Sequence, residues 1–287
     1  MPELPEVETV VRQLAEEIPG HRISRVEVIH PDLLSEPGDG FTECLRGARF
    51  DAATRRGKNI VFILSGPEGR RDSSFLVVNL GMTGQLLLFS RVSSRRLWEE
   101  GRGPSHPGVV LSLEPLSTLV YADVRRFGSL RLFSPEEWGA ESDRLGPEPL
   151  DPDLTEARFH AGLSASRSPI RSWLLDQTRI AGIGNIYAAE ALFRAGVHPL
   201  RSARSLGLKE AKHLLDAIRT VLSEAISARG TTLRDFRTAS GDYGGFGPFL
   251  EAYGREGEPC VRCNTRIERI VFGNRSTFFC PICQENR

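Results

Sequence analysis

The chain has 287 residues, of which 40% are hydrophobic and 26% charged, which is enough apolar material for a sizeable core and about two domains. Its 37 basic and 37 acidic residues cancel, so the total charge does not indicate a nucleic-acid partner. No apolar run approaches the roughly 18 residues needed to cross a bilayer, and the acidic start lacks the pattern of a signal peptide. These observations argue against a membrane protein and predict a cytoplasmic one.

The first predicted element is an amphipathic helix that ends before Gly20. Its apolar positions recur at spacings of three and four residues: Leu4, Val7, Val11, Leu14 and Ile18. Pro2 and Glu3 stand at its start. The structural interpretation is that Pro2 and Pro5 begin the helix, while the acidic residues complement its positive end.

A chemical interpretation of the same residues is also open. Removal of Met1 would leave Pro2 with a free secondary amine, and an α-amine has a pKa of about 8, against about 10.4 for lysine. Such an amine can attack an aldehyde-level carbon and form an iminium ion. Glu3 would then be a neighbouring proton donor or acceptor.

The region from about 22 to 135 alternates apolar and polar positions in short runs, which predicts a β-sandwich or barrel that carries the first helix. The runs are Ala48 to Leu64, Phe75 to Phe89, Val109 to Leu113 and Leu119 to Phe133. Residues 91–108 are predicted to be an exposed loop or insertion. Cys44 is expected to be a buried small apolar residue.

A proline-rich stretch over 146–152 predicts a linker, and helical periodicity follows from Leu154 to Arg229. Within it, Gly182 and Gly184 allow a tight turn between two helices, and Asn185 can cap the second helix. The exposed amides at that helix start can hold a phosphate. A packed helical hairpin without DNA binding is the alternative. Three flanking arginines favour phosphate: Arg167, Arg171 and Arg179.

Four of the five cysteines form two Cys-x2-Cys pairs that are separated by sixteen residues: Cys260, Cys263, Cys280 and Cys283. This spacing is typical of a tetrahedral four-cysteine zinc site. The residues between the pairs suit two strands, with Gly273-Asn274 as their turn. The pattern predicts a zinc ribbon whose zinc is structural. Two disulfides are the alternative, which a reducing cytosol disfavours.

Taken together, these segments resemble those of bacterial formamidopyrimidine-DNA glycosylases, and the resemblance covers essentially the whole chain. The segments that carry it are Pro2 to Thr9, 55–58, 80–84, 123–128, Leu145 to Leu150, Asp176 to Glu190, 253–255 and 275–280. The family removes 8-oxoguanine and ring-opened purines from DNA. The resemblance therefore implies a base-excision enzyme.

The resemblance implies an α+β fold with an N-terminal helix and β-sandwich, and a helical helix-two-turn-helix domain followed by a four-cysteine zinc-ribbon hairpin. The implied domains are a catalytic domain over 1–140, a linker over 141–158, a DNA-binding domain over 159–252 and a zinc finger over 253–287. One structural Zn²⁺ is the implied cofactor. The implied partner is double-stranded DNA with oxidised purines or abasic sites, bound by a monomer without membrane contact.

Four site residues acquire chemical roles by the same resemblance. Pro2 would be the nucleophile at C1′ of the damaged sugar, and Glu3 the acid/base group. Lys58 would serve β-elimination and a DNA phosphate. Arg275, on the zinc hairpin, would serve δ-elimination and phosphate binding.

Three further residues match the family's void-filling positions, because a flipped-out nucleotide leaves a hole in the duplex. Met82 would be an apolar wedge, Arg125 would pair with the orphaned base, and Phe127 would kink the duplex. Without the resemblance, these residues would be interpreted as ordinary core and surface positions.

His106, Arg167 and Asn185 match positions that contact DNA phosphates in the family. The glycine-rich segment 240–247 matches the loop that closes over the extruded base. One departure concerns Arg171, which stands where the family commonly has lysine, so a phosphate contact there would keep its charge but change its geometry.

Two alternatives stay open at this point. An endonuclease VIII-like glycosylase for oxidised pyrimidines would share the fold, but Leu4 and the complete 125–127 segment disfavour it. A noncatalytic zinc-ribbon protein that binds DNA lesions belongs to another functional class. Pro2, Glu3 and Lys58 argue against it, since a binding protein has no use for a free proline amine.

Overall fold

The computed structural model of the chain describes residues 2–35, 38–66 and 73–285. The chain forms two compact units, one made of Met1–Asp143 with Ala228–Gly245, and one made of Arg144–Ser227 with Phe246–Arg287. In the part of the chain that the structure describes, no helix is both long enough and apolar enough to cross a membrane. The expected removal of Met1 concerns a residue outside the described ranges.

The first unit begins with helix α1 (Leu4–Glu17), as the apolar spacing predicts. Pro5 lies in its first turn, where a missing N–H has no consequence, and the helix ends one turn before Gly20. Its apolar face is buried against the sheet that follows. Helix α1 is thereby fixed along its length, and with it the residues at its start.

An eight-stranded antiparallel sheet is the main element of this unit. Its strands are β1 (Arg22–Val28), β2 (Arg49–Arg56), β3 (Asn59–Ser65), β4 (Ser73–Asn79), β5 (Gly84–Ser90), β6 (Pro107–Glu114), β7 (Ser117–Asp123) and β8 (Ser129–Phe133). Their order is β5-β7-β6-β1-β2-β3-β4-β8. Strands β1 and β2 pair only at Arg22 and Arg49, so the sheet divides there into two four-stranded halves.

Side chains of both halves meet in one core, which confirms the predicted β-sandwich. Phe62 and Leu76 come from one half and Leu111 and Leu119 from the other, and all four line the same small internal space. Phe50 and Phe62 pack edge to face at 5.0 Å between ring centroids. The sandwich thus buries one continuous apolar interior.

Two expectations about this unit were wrong. The segment 91–108 is not only loop, because it contains a short helix α3 (Ser94–Glu99), which the Ser93 side chain caps by accepting from the Arg96 N–H. Cys44 is exposed on helix α2 (Gly38–Leu45). Phe41 and Leu45 occupy the buried side of that helix and leave Cys44 outside.

Helix α4 (Pro135–Asp143) closes the first stretch of this unit. The second unit is helical, as predicted, and contains α5 (Glu156–Ser164), α6 (Ile170–Leu175), α7 (Asn185–Ala195) and α8 (Leu208–Ser227). Helices α7 and α8 pack closely, and residues 186–193 of α7 are buried. Helix α7, which follows the turn of the predicted helical hairpin, is therefore also part of the core of this unit.

The chain ends in the predicted two-stranded ribbon, formed by β9 (Glu268–Phe272) and β10 (Arg275–Phe279). Gly273 and Asn274 both have φ of 58°, as a two-residue hairpin turn of the mirror-image type requires. Arg275 pairs with Phe272 directly after this turn.

Candidate functional site

The buried start of helix α1 is the first part of the candidate site. Pro2 is buried and Glu3 is 1% exposed. Glu3 caps α1 in a reciprocal arrangement: its carboxylate accepts from the Glu6 backbone N–H, and the Glu6 carboxylate accepts from the Glu3 N–H at 2.8 Å. These two bonds fix the backbone that presents Pro2.

Glu6 also ties this start to the segment 228–245 of the same unit. Its second oxygen accepts from the Thr231 N–H at 2.7 Å. Gly230 has φ of +82°, and a Cβ there would lie 3.0 Å from that oxygen. Further along α1, the Gln13 side chain accepts from the Ala239 N–H at 2.8 Å. The hydrogen bonds at Thr231 and Ala239 therefore anchor on α1 the part of the chain that precedes the predicted lid 240–247.

Lys58 lies in the two-residue turn between β2 and β3, where Gly57 has the positive φ that this hairpin needs. Arg55 holds the turn in place. It donates to the Gly57 carbonyl at 2.9 Å and to the Glu8 carboxylate on α1 at 2.8 Å. The half-buried Lys58 is consequently carried by a turn that is braced against the same helix as Pro2.

The three predicted void-filling residues lie on two neighbouring loops of the first unit. Met82 is 39% exposed in the turn between β4 and β5, and Phe127 is 60% exposed in the loop after β7. The Arg125 guanidinium lies 4.6 Å from the centroid of the Phe127 ring. His106 is also exposed, and its carbonyl accepts from the N–H of Asp123. The structure thus brings all four residues to connected strand ends.

The predicted lid 240–247 and the residues just before it make contacts that its glycine content did not predict. Arg237 lies over the ring of Tyr243 at 3.7 Å and donates to the Tyr243 hydroxyl at 2.9 Å. Thr238 accepts from the Asp242 N–H and donates its own N–H to the Asp242 carbonyl. These bonds give the segment a defined conformation.

In the second unit, Gln177 closes the turns between α6 and α7. Its side chain accepts from the Gly182 N–H at 2.9 Å and donates to the Ile183 carbonyl at 2.9 Å. Gly184, and not Asn185, is the N-cap of α7, so the predicted cap was wrong by one residue. Asn185 is the first helical residue, which frees its side chain for other contacts.

The Asn185 side chain connects the start of α7 to the ribbon. It accepts from Arg171 at 2.8 Å and donates to the Ser276 carbonyl at 2.9 Å. Arg171, which is 3% exposed, also donates to the Phe272 carbonyl at 3.1 Å. Burial, together with the nearby charge of Arg275, lowers the pKa of Arg171. Arg171 therefore bridges a helix and a hairpin through neutral acceptors.

Arg275 itself is exposed at the start of β10, and its guanidinium has no hydrogen bond or ion pair with any residue in the described ranges. Arg167 is exposed at the loop before α6. Both guanidinium groups are thus available to a ligand, in contrast with Arg171.

The four cysteine sulfurs of the ribbon form one cluster, and all of them lie within 4.8 Å of one another. Cys260 Sγ and Cys283 Sγ are 3.9 Å apart, and Cys263 Sγ and Cys280 Sγ are 3.4 Å apart. These separations exclude disulfides, whose sulfurs lie about 2.0 Å apart. They suit a ZnS₄ tetrahedron, in which Zn–S bonds of about 2.3 Å place the sulfurs about 3.8 Å apart. The chain carries one structural zinc site.

The sequence did not single out two other buried carboxylates, Asp123 and Glu190. Asp123 accepts four hydrogen bonds around the loop that carries Phe127. Glu190 accepts three backbone N–H groups from Glu251, Ala252 and Tyr253. Asp123 could have been found as an aspartate that starts a turn after an apolar strand. Glu190 gives no local signal, because its partners lie some sixty residues away.

Three family models match the chain in succession. The N-terminal domain of formamidopyrimidine-DNA glycosylase matches residues 1–130, the H2TH domain of that enzyme matches residues 145–237, and a zinc finger found in FPG and IleRS matches residues 257–286. A curated relative from Heliobacterium modesticaldum, formamidopyrimidine-DNA glycosylase, is 44% identical over 99% of this chain and 100% of its own length.

Solved structures agree with these matches. A crystal structure of Lactococcus lactis Fpg with DNA that contains an abasic site has a TM-score of 0.86, with 32% identity over 99% of both chains. A variant of the same protein with Fapy-dG containing DNA has a TM-score of 0.87, with 32% identity over 99% of this chain and 100% of its own. With these matches along its whole length, the chain belongs to the formamidopyrimidine-DNA glycosylase family of base-excision repair enzymes.

Proposed function

We propose that the protein removes oxidised purines, namely 8-oxoguanine and formamidopyrimidines, from double-stranded DNA and then cleaves the resulting abasic site. The observation that carries the proposal is the buried Pro2-Glu3 start, held by the reciprocal Glu3 and Glu6 hydrogen bonds. A helix start of purely structural function would not need an anchored proline beside two buried carboxylates. With Met1 removed, the Pro2 nitrogen would be a secondary amine in a fixed position.

The proposed chemistry begins when the Pro2 nitrogen lone pair attacks C1′ of the damaged nucleotide. The C1′–N bond to the base breaks, and the base leaves with that electron pair and a proton. The C1′–O4′ bond then breaks, O4′ takes its electron pair and a proton, and the nitrogen lone pair completes an iminium ion between Pro2 and C1′, which acidifies the 2′ position. Loss of a 2′ proton expels the 3′ phosphate, and a second elimination expels the 5′ phosphate.

Glu3 is proposed as the group that moves protons at the sugar, since its carboxylate is the side chain next to Pro2 in the chain. Lys58 is proposed for the β-elimination step and a phosphate, because the braced turn limits its motion to the side chain. Arg275 is proposed for the δ-elimination step. Its exposed guanidinium, free of acidic partners in the described part of the chain, suits a phosphate.

DNA contacts are proposed for the exposed residues His106 and Arg167 through phosphates, and for Met82, Arg125 and Phe127 through the void that base extrusion leaves. Asn185 differs, because its side chain already has two protein partners. A phosphate at Asn185 would meet the backbone amides of the α7 start together with this held side chain.

Lesion class, assembly and location are also proposals. The bound Fapy-dG in the Lactococcus lactis relative supports ring-opened purines as substrates. We further propose that the chain acts as a monomer in the cytoplasm, at the nucleoid. The domain bounds 1–140, 159–252 and 253–287, with a linker over 141–158, remain part of the same proposal.

Borohydride trapping tests the proposal. The zinc-loaded protein is incubated with duplex that contains 8-oxoguanine, the iminium is reduced, and the cross-linked peptide is identified by mass spectrometry. We expect the link at Pro2, and we expect Pro2→Gly to trap poorly because both amine basicity and terminal geometry change. Pro5→Ala, which alters the other proline of this helix start but not the amine, is the matched control and should trap like wild type.

Three results would contradict the proposal in different ways. A link that maps to a lysine, with Pro2→Gly as active as wild type, would refute the proline mechanism. Tight lesion binding without any trapping would favour the noncatalytic binding protein. Preferential trapping on duplex with an oxidised pyrimidine would favour the endonuclease VIII-like alternative.

A further inference from the structure

Asp123, the last residue of β7, is a buried carboxylate without a cation. It is 2% exposed, and it forms no ion pair with any residue of the described ranges. Both of its oxygens are instead satisfied by hydrogen bonds. Oδ1 accepts from the Thr83 hydroxyl at 2.5 Å and from the Arg125 N–H at 3.1 Å. Oδ2 accepts from the Gly128 N–H at 2.9 Å and from the Tyr121 hydroxyl at 3.2 Å.

Three of these donors belong to two different loops, and the fourth, Tyr121, belongs to strand β7. Thr83 follows Met82 in the turn between β4 and β5. Arg125 and Gly128 bracket Phe127 in the loop after β7. The Thr83 hydroxyl also accepts from the Arg125 N–H at 3.1 Å, so it joins the loops a second time. The Asp123 carboxylate therefore holds together both loops that carry the exposed side chains of Met82, Arg125 and Phe127, which we call the tips. We call the hydrogen bonds around Asp123 the joint.

Packing leaves little room for the two loops to move independently. A Cβ on Gly81 would lie 2.5 Å from the backbone of Phe127 and Gly128, so the loops touch backbone to backbone. A Cβ on Gly128 would lie 1.8 Å from the Tyr121 hydroxyl. Burial, followed by the charge of Asp123 and the hydrogen bond to it, raises the pKa of Tyr121. The hydroxyl therefore stays a donor.

Unlike the buried joint, the tips are exposed. Met82 and Phe127 are 39% and 60% exposed, and Arg125 is exposed above the Phe127 ring. Side chains that enter a base stack must act against the stacking energy of the step that they open. A tip on a loose loop would move back instead of displacing the base. The buried joint supplies the stiffness that the exposed tips need.

We propose that Asp123 is a positioning residue that holds Met82, Arg125 and Phe127 as one wedge, so that the three side chains enter the duplex together when a nucleotide is extruded. The assignment rests on the proposed function. It adds a requirement, since the wedge depends on a side chain that touches neither DNA nor the reacting atoms.

Asp123→Asn tests the assignment with almost no change of shape. The new amide turns one acceptor into a donor, which then faces two existing donors of the joint. Asp32→Asn is the matched control, because Asp32 makes a half-exposed ion pair with Arg126 on the same loop at 3.2 Å and has no part in the joint.

Single-turnover excision is measured on duplex with 8-oxoguanine opposite each base, and borohydride trapping is measured on duplex with a preformed abasic site. We expect Asp123→Asn to slow excision by roughly ten- to hundredfold, as for other small misplacements of a working group. Trapping at the abasic site should change by no more than about twofold, because no base has to be extruded. Asp32→Asn should match wild type on both substrates.

A double variant separates positioning from general stability. If Asp123 acts through the wedge, Asp123→Asn combined with Phe127→Ala should be no more than about twofold slower than the slower single variant. Should Asp123→Asn fail to fold, Thr83→Val replaces it. That variant removes the hydroxyl that links the loops and keeps the two backbone bonds to Asp123.

The assignment is overturned if Asp123→Asn excises like Asp32→Asn. It is equally overturned if excision and abasic trapping fall by the same factor and the double variant is multiplicative. These outcomes leave the proposed function intact, provided that the wild-type protein excises 8-oxoguanine and traps at Pro2. A wild-type protein that does neither refutes the proposed function and this assignment together.

Discussion

Asn185→Ala would disconnect the start of helix α7 from the zinc ribbon. In the folded protein the Asn185 side chain accepts from the buried Arg171 guanidinium at 2.8 Å and donates to the Ser276 carbonyl at 2.9 Å. Alanine offers neither group. The Arg171 fork would keep only its bond to the Phe272 carbonyl, and a charged donor would be left without a partner in a buried position.

The expected cost follows from these two bonds. A hydrogen bond to a charged group contributes about 1.5–3 kcal/mol, and a bond between neutral groups contributes about 0.5–1.5 kcal/mol. Ser276 is half-buried, so water can replace part of what its carbonyl loses. We therefore expect Asn185→Ala to lower the free energy of unfolding by roughly 2–4 kcal/mol.

Urea unfolding of the zinc-loaded protein without DNA measures this loss free of any phosphate contact. A double-mutant cycle with Arg171→Met isolates the shared bond, for which we expect a coupling of about 1.5–3 kcal/mol. Asn185→Asp is the control, since it keeps an acceptor for Arg171 and loses only the donor to Ser276. A coupling below about 0.3 kcal/mol would refute the inference that Arg171 and Asn185 act as one bridge.

Two further predictions concern the ribbon and the first helix. Cys280→Ser should abolish or weaken zinc binding, disorder the hairpin that carries Arg275 and lower the affinity for duplex DNA, while the β-rich unit stays folded. Elemental analysis and a DNA titration measure these effects. Unchanged DNA affinity in the zinc-free variant would contradict the prediction. Burial raises the pKa of Glu8, but bonds from Arg12 and Arg55 outweigh this and lower it overall. A lowered folded-state pKa stabilises the protein above the unfolded value near 4.3, and this stabilisation is lost as the pH falls through the folded-state pKa. Glu8→Gln should therefore cost roughly 1 kcal/mol at pH 7 and progressively less as the pH falls below about 4.3. The exposed Glu16→Gln should cost little at either pH in parallel thermal melts.

Features with a local cause could be predicted from the sequence. The spacing of Leu4, Val7 and Leu14 predicted α1, and alternating runs predicted the strands. The cysteine spacing with Gly273-Asn274 predicted the ribbon and its turn. Each depends on residues close together in the chain, so pattern and structure share one cause.

Features that depend on distant partners could not be predicted. Glu6 follows Glu3 by one helical turn, but its bond to Thr231 spans more than two hundred residues. The division of the sheet at β1 and β2 follows from the packing of both halves on one core. The alternation of apolar and polar residues within one strand carries no information on that packing.

Arg171 shows why charge type alone does not assign a role. As one of three flanking arginines, it supported phosphate binding as much as Arg167 did. Folding separates them, because Arg167 is exposed whereas Arg171 is 3% exposed with two neutral acceptors already in place. Lysine, with a single ammonium on a flexible stem, lacks the planar fork that Arg171 directs at both acceptors.

The hydrogen bonds of Arg171 and Asn185 also help to explain how the zinc site positions the ribbon. At the cysteine end, Cys260 and Cys280 pack against Phe193 of α7, so zinc binding fixes the base of the ribbon on the core helix. At the other end, Arg171 and Asn185 hold the carbonyls that flank the turn before Arg275. A hairpin fixed only at its base would let its tip swing, and one fixed only near its tip would lose its register without the metal. Because both anchors belong to the α6–α7 hairpin or pack on it, loss of either should move Arg275, but only loss of a cysteine should release zinc.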